Sequence, residues 1–119
     1  MKSMLIIDGS DAIATLFSEL FRRHGWELVF CADQDLALNR LVGVEHYDVV
    51  FLGNNVPAMA AVQLVRFIRA LEHRRTTAVV MMTENAAVTQ QAIAAGADEV
   101  LANPINPRAL MSAVDKQVC

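Results

Sequence analysis

The sequence predicts an α/β fold, a doubly wound five-stranded parallel sheet of order 2-1-3-4-5 with helices on both faces. Short apolar runs alternate with segments of helical periodicity along the whole 119-residue chain, which is the pattern of repeated βα units. The runs are continuously apolar, as in parallel strands buried on both faces. Connections are short and no change of composition divides the chain, so we predict a single domain over residues 1–119 with right-handed crossovers.

The predicted strands are the apolar runs that stop at polar or small residues. The first run ends at Asp8-Gly9-Ser10, and the third ends at Gly53. Such short runs, bounded by turn-forming residues, favour strands over helices. In chain order the predicted strands are Met4–Ile7, Glu27–Cys31, Val49–Leu52, Ala78–Met82 and Glu99–Ala102.

The first two helices follow side chains that can accept the free N–H groups of a helix start. We expect Ser10 or Asp11 to cap the first helix, which ends where three basic residues precede Gly25. We expect Asp33 or Asp35 to cap the second helix. Apolar residues at helical spacing are predicted to face the core: Ile13, Leu16, Phe17, Leu20 and Phe21 in the first helix, and Leu36, Leu38, Leu41 and Val42 in the second.

The last three helices begin at equally clear signals. Pro57 and the small residues after it lead into the third helix, and Thr83-Glu84-Asn85 opens the fourth, which is rich in alanine and ends at Gly96. Asn106 as N-cap with Pro107 in the first helical position starts the fifth. The predicted core-facing residues of the third helix are Val62, Leu64, Val65, Ile68 and Leu71.

The charge balance argues against direct binding of nucleic acid. Ten Lys and Arg residues stand against thirteen Asp and Glu residues, so the formal net charge is −3 and does not attract phosphates over distance. The chain shows no signal-peptide pattern and no apolar run of the about 18 residues that span a membrane. We therefore expect a cytoplasmic protein without membrane contact. The densest basic stretch is predicted to be a solvated helix face and its exit: Arg66, Arg69, Arg74 and Arg75.

The cysteines and histidines do not have the spacing of metal ligands or of a nucleophilic site. Cys31 and Cys119 are far apart, and Cys31 is predicted to be a small core residue. His24, His46 and His73 are scattered over predicted loops and helix ends, so we predict that they lie on the surface. The 55% hydrophobic content indicates either a sheet covered on both faces or an apolar surface that meets a partner.

The third predicted strand ends in a residue without a side chain. The segment Tyr47–Pro57 reads as a buried strand that breaks into a loop. The carboxyl ends of the strands are where an open α/β sheet places its ligands and chemistry. Gly53 occupies that point, so we predict that no side chain at this position takes part in the function. Asn54 and Asn55 favour a turn, and could otherwise form the polar rim of a ligand site.

Five motifs fall in order along the chain: Asp8 after Leu5-Ile6-Ile7, the segment from Tyr47-Asp48 to Val56-Pro57-Ala58-Met59, Thr83 after Val79-Val80-Met81-Met82, Gly96-Ala97-Asp98-Glu99, and Asn103-Pro104. Together they resemble the receiver domain of two-component response regulators. The likeness covers essentially the whole chain, and it implies a CheY-like, flavodoxin-like fold and a place in phosphorelay signal transduction.

The resemblance assigns roles to six positions. In the family an acidic pair follows the first strand, a phosphoacceptor aspartate ends the third, a threonine or serine ends the fourth, and a lysine before proline ends the fifth. An aromatic residue on the fifth strand usually reports the switch. Asp8 supplies the first acid and Thr83 the hydroxyl. The other four positions depart from the pattern: Gly9 at the second acid, Gly53 at the phosphoacceptor, Val100 at the aromatic residue and Asn103 at the lysine.

Each departure removes a part of the family's phosphorylation chemistry. Without a carboxylate at Gly53, no acyl phosphate can form there. Asp8 without an acid at Gly9 is a poor Mg²⁺ site, so we expect Mg²⁺ binding to be weak or absent and no other cofactor. Asn103 brings no positive charge to a phosphoryl group, and Val100 has no polar tip to swing inward. These residues predict a non-phosphorylatable pseudo-receiver that is not an enzyme.

The two remaining family residues also have purely structural interpretations. The Asp8 carboxylate could accept backbone N–H groups or the Thr83 hydroxyl at the end of its strand. The Thr83 hydroxyl could cap the fourth helix. Asp11, although close in sequence, is assigned to the helix start and not to a metal site.

The leading hypothesis is a regulator that acts by binding a signalling or effector protein. The resemblance implies a binding surface on the fourth helix, the fifth strand and the fifth helix. A homodimer is an alternative assembly. Small residues on this surface allow close approach of a partner, although the alanines could equally serve helix–sheet packing. The residues of this predicted face are Ala87, Gln90, Gln91, Ala94, Val100, Arg108 and Met111.

Two other functions are weighed against this hypothesis. One is a small-molecule sensor that uses the vacated acidic pocket near Asp8 and Thr83. The other is an enzyme or flavin carrier, which is disfavoured because Asp8-Gly9-Ser10-Asp11 has one glycine and two acids where a phosphate loop would stand. The resemblance also predicts a cis peptide bond between Asn103 and Pro104.

Overall fold

A computed structural model describes residues 1–53 and 56–118, and it confirms the predicted sheet. All strands run parallel in the order β2-β1-β3-β4-β5. Two strands are one residue longer than predicted, because β1 begins at Ser3 and β4 includes Thr83. The strands are β1 Ser3–Ile7, β2 Glu27–Cys31, β3 Val49–Leu52, β4 Ala78–Thr83 and β5 Glu99–Ala102.

Five helices connect the strands: α1 Asp11–Phe21, α2 Gln34–Val42, α3 Ala58–Ala70, α4 Thr89–Ala95 and α5 Pro107–Val118. Their starts agree with the capping signals. The Ser10 hydroxyl accepts a hydrogen bond from the Ile13 N–H, and the Asp33 carboxylate accepts one from the Leu36 N–H at 2.9 Å. Within the described residues, no helix has the length and apolar character needed to cross a membrane.

The core forms two layers, one on each face of the sheet, because alternate residues of every strand point to opposite faces. Leu5 and Ile7 pack with α2, α3 and α4 on one face. Met4 and Ile6 pack with α1 and α5 on the other. Strands buried on both faces are continuously apolar for this reason. Cys31 is buried in the first layer, as predicted.

The predicted inner face of α2 is wrong in two positions. Leu36 and Val42 are 52% and 57% exposed, whereas Ala37 and Leu41 are fully buried. The Asp33 cap sets the helix start, and residues four apart then form the buried stripe. Leu36 and Val42 fall beside that stripe despite their apolar character.

The predicted start of the fourth helix is also wrong. Thr83 still belongs to β4, and the Asn85 side chain caps a short 3₁₀ turn, Ala86–Val88, by accepting the Ala87 N–H. The α-helix begins at Thr89 and is seven residues long. The polar residues that looked like one helix start therefore serve a strand end and a turn.

The prediction of a solvated basic face fails for Arg69, whose side chain is 20% exposed, and more completely for Arg74. Arg74 is 2% exposed. Its guanidinium donates to the carbonyls of Leu41 at 3.0 Å and Gly43 at 2.9 Å, at the end of α2. It also lies 5.0 Å from the ring centre of Tyr47, a cation–π distance. Burial lowers the pKa of Arg74, but a guanidinium stays charged at physiological pH.

Candidate functional site

The carboxyl ends of four neighbouring strands meet at one edge of the sheet. β1 lies between β2 and β3, with Ile7 beside Leu52, and β4 pairs with β5 so that Thr83 lies beside Ala102. Asp8 therefore follows the end of one central strand and Gly53 the end of its neighbour. The topology places all predicted pocket residues at this edge: Asp8, Gly9, Gly53, Thr83 and Asn103.

Asp8 is buried at the end of β1. It is 5% exposed. Its Oδ1 accepts a hydrogen bond from the Ser10 N–H at 2.8 Å, and its own N–H donates to the Cys31 carbonyl at 3.0 Å. The contact with Ser10 matches the structural interpretation of Asp8, in which the carboxylate satisfies backbone N–H groups. It also closes the β1–α1 loop next to the cap of α1.

The Asp8 side chain occupies the space that a side chain at position 53 would need. A Cβ atom built on Gly53 would lie 2.6 Å from both Cβ and Cγ of Asp8 and would overlap its Oδ2. Cβ is fixed by the backbone, so rotation of the carboxylate alone does not remove the clash. Gly53 itself is buried, and its N–H donates to the Ile7 carbonyl at 3.0 Å. Glycine at position 53 therefore leaves free the space that the Asp8 side chain occupies.

The side chains at this edge do not match the ligand set of a Mg²⁺ site. Mg²⁺ demands octahedral oxygen coordination and is usually held by one or two carboxylates. Of the five predicted pocket residues, Asp8 alone carries a carboxylate, and its Oδ1 is engaged by Ser10. Gly9 is exposed and, like Gly53, offers no side chain. Within residues 1–53 and 56–118, no three His, Cys, Asp or Glu side chains are grouped to hold a metal ion.

Thr83 and Asn103 form a second, separate set of contacts. The buried Thr83 hydroxyl accepts the Asn85 N–H at 3.0 Å, so it orders the turn after β4 and does not cap α4 directly. The Asn103 N–H donates to the Thr83 carbonyl at 3.1 Å. The Asn103 side-chain amide donates to Oε1 of Glu84 at 2.8 Å. The Asn103–Pro104 bond is cis, as predicted.

A small cavity lies between the end of β4, the start of α4 and β5. Its volume is about 130 Å³, and Thr83 and Val100 are among its lining residues. Ligand pockets in proteins usually measure about 300–1,000 Å³. The cavity therefore has room for a side-chain-sized group and not for a metabolite.

The predicted interaction face is mostly open to solvent. Four residues of the α4 region are exposed, namely Ala87, Gln90, Gln91 and Ala94. Arg108 is also exposed, whereas Val100 and Met111 are half-buried. The alternative that the alanines serve packing therefore does not hold for Ala87 and Ala94.

Sequence reasoning missed three residues near these sites. Glu84 was assigned to a helix start, but its carboxylate faces the Asn103 amide. Ser10 was assigned as a cap, and it also holds Asp8 through its N–H. Ile93 is 49% exposed on α4, beside the predicted face. An isoleucine in an alanine-rich helix was a usable signal for Ile93, whereas the other two contacts depend on how loops fold. Asn54, Asn55 and Cys119 lie outside the described residues.

Comparison with known proteins agrees with the observed fold. The chain is similar to the chemotaxis response regulator CheY4 of Vibrio cholerae, with 26% identity, a TM-score of 0.86 and 99% of both chains covered. A response regulator from Thermotoga maritima shares the fold, with 19% identity, a TM-score of 0.83, and 99% of this chain and 98% of that chain covered.

A curated relative places a similar segment in a much larger protein. Hybrid signal transduction histidine kinase A of Dictyostelium discoideum is 22% identical over 120 residues, which is 97% of this chain but 6% of the kinase. The model of the response regulator receiver domain family matches residues 4–115. Such domains are signalling modules of two-component systems and are generally not enzymes. With its sheet order and this match over most of its length, the chain belongs to the family of response regulator receiver domains.

Proposed function

We propose that this receiver domain is not phosphorylated at position 53 and acts by binding a signalling or effector protein. One observation carries the proposal: the Asp8 side chain fills the space that a side chain at position 53 would need. The nucleophile is absent and its place is taken by a neighbouring carboxylate. A second negative charge brought there as a phosphoryl group would meet Asp8 with no lysine to offset it, since position 103 is an asparagine.

The small number of carboxylates among these residues supports the prediction that Mg²⁺ binding is weak or absent. A divalent cation would find a single carboxylate among these residues, that of Asp8, whose Oδ1 already accepts the Ser10 N–H, and would take most of its other ligands from water. Mg²⁺ binds with several waters only when carboxylates and phosphates supply the remaining charge. We expect isothermal titration with MgCl₂ to give no saturable heat below millimolar concentrations, and Gly9→Asp, which adds a second carboxylate at an exposed position, to bind more tightly.

Protein binding is assigned to the face formed by α4, β5 and α5. The predicted face residues that are exposed in the α4 region are alanines and glutamines. A partner can therefore approach the backbone there without desolvating a charged side chain. Ile93 adds a partly exposed apolar group beside them. Charged residues are depleted at the core of protein interfaces, which suits this uncharged part of the face, and the exposed Arg108 is of a residue type that is enriched at interfaces.

A small-molecule sensor finds less support. Asp8 occupies the room beside Gly53, and the cavity beside Thr83 is about 130 Å³, below the usual size of a ligand site. The sensor remains a prediction that a thermal-shift screen with small anions and metabolites can test.

Intact-mass spectrometry after incubation with acetyl phosphate and Mg²⁺ tests the absence of phosphorylation. The natural sequence is expected to keep its mass. The matched control is Gly9→Asp/Gly53→Asp/Asn103→Lys, which supplies the acidic pair, the acceptor and the lysine. Because Asp8 must shift to admit a side chain at position 53, circular dichroism first checks that this variant folds, and the folded variant is expected to gain one acid-labile phosphoryl group. A stoichiometric acid-labile phosphate on the natural chain would overturn the proposal.

A pull-down from the source cell tests the binding face. The natural chain and Ala12→Arg, a substitution at an exposed position of α1, should capture the same partner. Ala94→Arg places a bulky charge on the proposed face and should lose it. Retention of the partner by Ala94→Arg, or its loss with Ala12→Arg, would assign the interaction to another surface.

A further inference from the structure

Arg69 joins α3 to two loops at the amino-terminal edge of the sheet. Its side chain leaves α3 near the end of that helix and is 20% exposed. Nη1 donates to the carbonyls of Arg75 at 3.1 Å and Thr77, just before β4. Nη2 donates to the Gly96 carbonyl at 2.8 Å and to Oδ2 of Asp98 at 2.9 Å, just before β5. One guanidinium thus bonds to both loops that precede the last two strands.

The end of α4 is shaped to receive this side chain. Gly96 follows the last residue of the helix with φ at +120°, a conformation that other residues rarely adopt. A Cβ at this position would lie 2.7 Å from Cγ of Arg69 and 2.9 Å from its Nε. The Gly96 carbonyl accepts from Nε as well, at 3.1 Å. A cation bound to the last carbonyls of a helix also opposes the negative end of its dipole.

Asp98 extends the contact into the sheet. Its Oδ2 accepts the Val79 N–H at 2.8 Å in addition to the Arg69 guanidinium. The Asp98 N–H in turn donates to the Val79 carbonyl at 2.9 Å. The start of β5 is therefore tied to β4 and to α3 together.

Tertiary contacts of this kind matter more for α4 than for the other helices. With seven residues, α4 is far shorter than the about 12–15 residues at which an isolated helix becomes marginally stable. Its amino end follows the turn ordered by Thr83 and Asn85. Its carboxyl end carries the bonds to Arg69.

We propose that Arg69 is a positioning residue that holds α4 and the start of β5 in one arrangement. The exposed residues of α4 are then kept in place from the amino-terminal edge of the sheet, whatever occupies the carboxyl-terminal edge. The use of that surface for binding rests on the proposed function. The restraint itself is a property of the free domain and can be measured without a partner.

Hydrogen exchange by mass spectrometry or NMR tests the restraint, with Arg69→Met, Arg69→Lys and Arg66→Met compared. Arg66 is exposed on the same helix and serves as the matched control. Amides at the end of α4, including Gly96 and Ala97, should exchange about tenfold or more faster in Arg69→Met. Arg69→Lys, which keeps the charge but loses the fork of donors, should fall in between. Arg66→Met should match the natural chain, and β1 amides should be unchanged in all three.

Unchanged exchange at Gly96 and Ala97 in Arg69→Met would overturn the proposal. An equal acceleration in β1 would also overturn it, because that result means that Arg69 supports the whole fold and not α4 in particular. Neither result bears on the phosphorylation test, and a phosphate found on the natural chain would leave the exchange result standing. The two proposals therefore fail separately.

Discussion

The two ends of the sheet differ in how their side chains are used. At the carboxyl-terminal end, Asp8 lies against Gly53 and holds one loop through a single N–H. At the amino-terminal end, Arg69 and Arg74 each bond to several backbone carbonyls. The end that carries phosphoryl chemistry in a receiver has glycine at positions 9 and 53, whereas the opposite end has two arginines that each join several carbonyls. This difference accords with our proposal that the domain acts without phosphorylation at position 53.

Arg74→Ala should have the largest effect on stability. It removes a buried cation from the α2 carbonyls and from the Tyr47 ring. Loss of charged hydrogen bonds and packing predicts a decrease of about 3 kcal/mol in the free energy of unfolding. Urea unfolding followed by circular dichroism measures it. Arg75→Ala, an exposed neighbour, should change stability by less than about 0.5 kcal/mol. Equal effects of the two substitutions would show that the Arg74 contacts at the amino-terminal end do not stabilise the fold.

Gly53→Ala should have the next largest effect. The added methyl group overlaps Asp8, so the backbone or the aspartate must move, at a cost of about 2 kcal/mol. In an Asp8→Ala background the same substitution should cost about 1 kcal/mol less, because the clash with Cγ and Oδ2 of Asp8 is gone and only that with its Cβ remains. A double-mutant cycle from urea unfolding gives the coupling. Strict additivity would show that Asp8 does not fill the space at position 53.

The sheet was predictable because strands buried on both faces are continuously apolar and their turns carry glycine, proline or caps. The helix caps at Ser10, Asp33 and Asn106 follow from these signals, and the strand order follows from the choice of the doubly wound order that suits five strands. The pocket was predictable only as a set of missing groups. That Asp8 turns toward Gly53 depends on the side-chain conformation, which the absence of a Cβ permits but does not dictate.

The basic residues were the main failure of sequence reasoning. Arg69 and Arg74 look like exposed charges at a helix end, and Arg66 and Arg75 are indeed exposed. What distinguishes the two pairs is the position of distant carbonyls, those of Gly96 for Arg69 and of Leu41 and Gly43 for Arg74. Contacts between residues about thirty positions apart leave no local pattern in the sequence.

Thr83→Val should have a smaller effect. It keeps the shape of the buried side chain but removes the acceptor of the Asn85 N–H, which predicts a loss of about 1 kcal/mol. The control is Thr15→Val at an exposed position of α1. Thermal unfolding measures both. If Thr83→Val is as stable as Thr15→Val, the hydroxyl does not order the turn after β4.

The smallest effect is a pH dependence at the amino-terminal end. Burial alone would raise the pKa of Asp48, but the Ser3 N–H and the His46 side chain outweigh it and lower that pKa. A lowered pKa stabilises the fold above the unfolded value of about 3.9, and this stability is lost as pH falls through the folded pKa. Unfolding measured from pH 5 to pH 2 should show a shallower acid loss in Asp48→Asn. Identical acid profiles would exclude this contribution.

The most direct test of the central claim is an NMR comparison with and without beryllofluoride and Mg²⁺. Beryllofluoride is a stable analogue of a phosphoryl group and needs an aspartate carboxylate to bind in its place. If position 53 does not accept a phosphoryl group, the amide shifts of Gly53, Thr83 and α4 should equal those of a matched fluoride and Mg²⁺ control. Saturable shifts at Gly53 and Thr83 that extend to α4 and β5 would contradict the account.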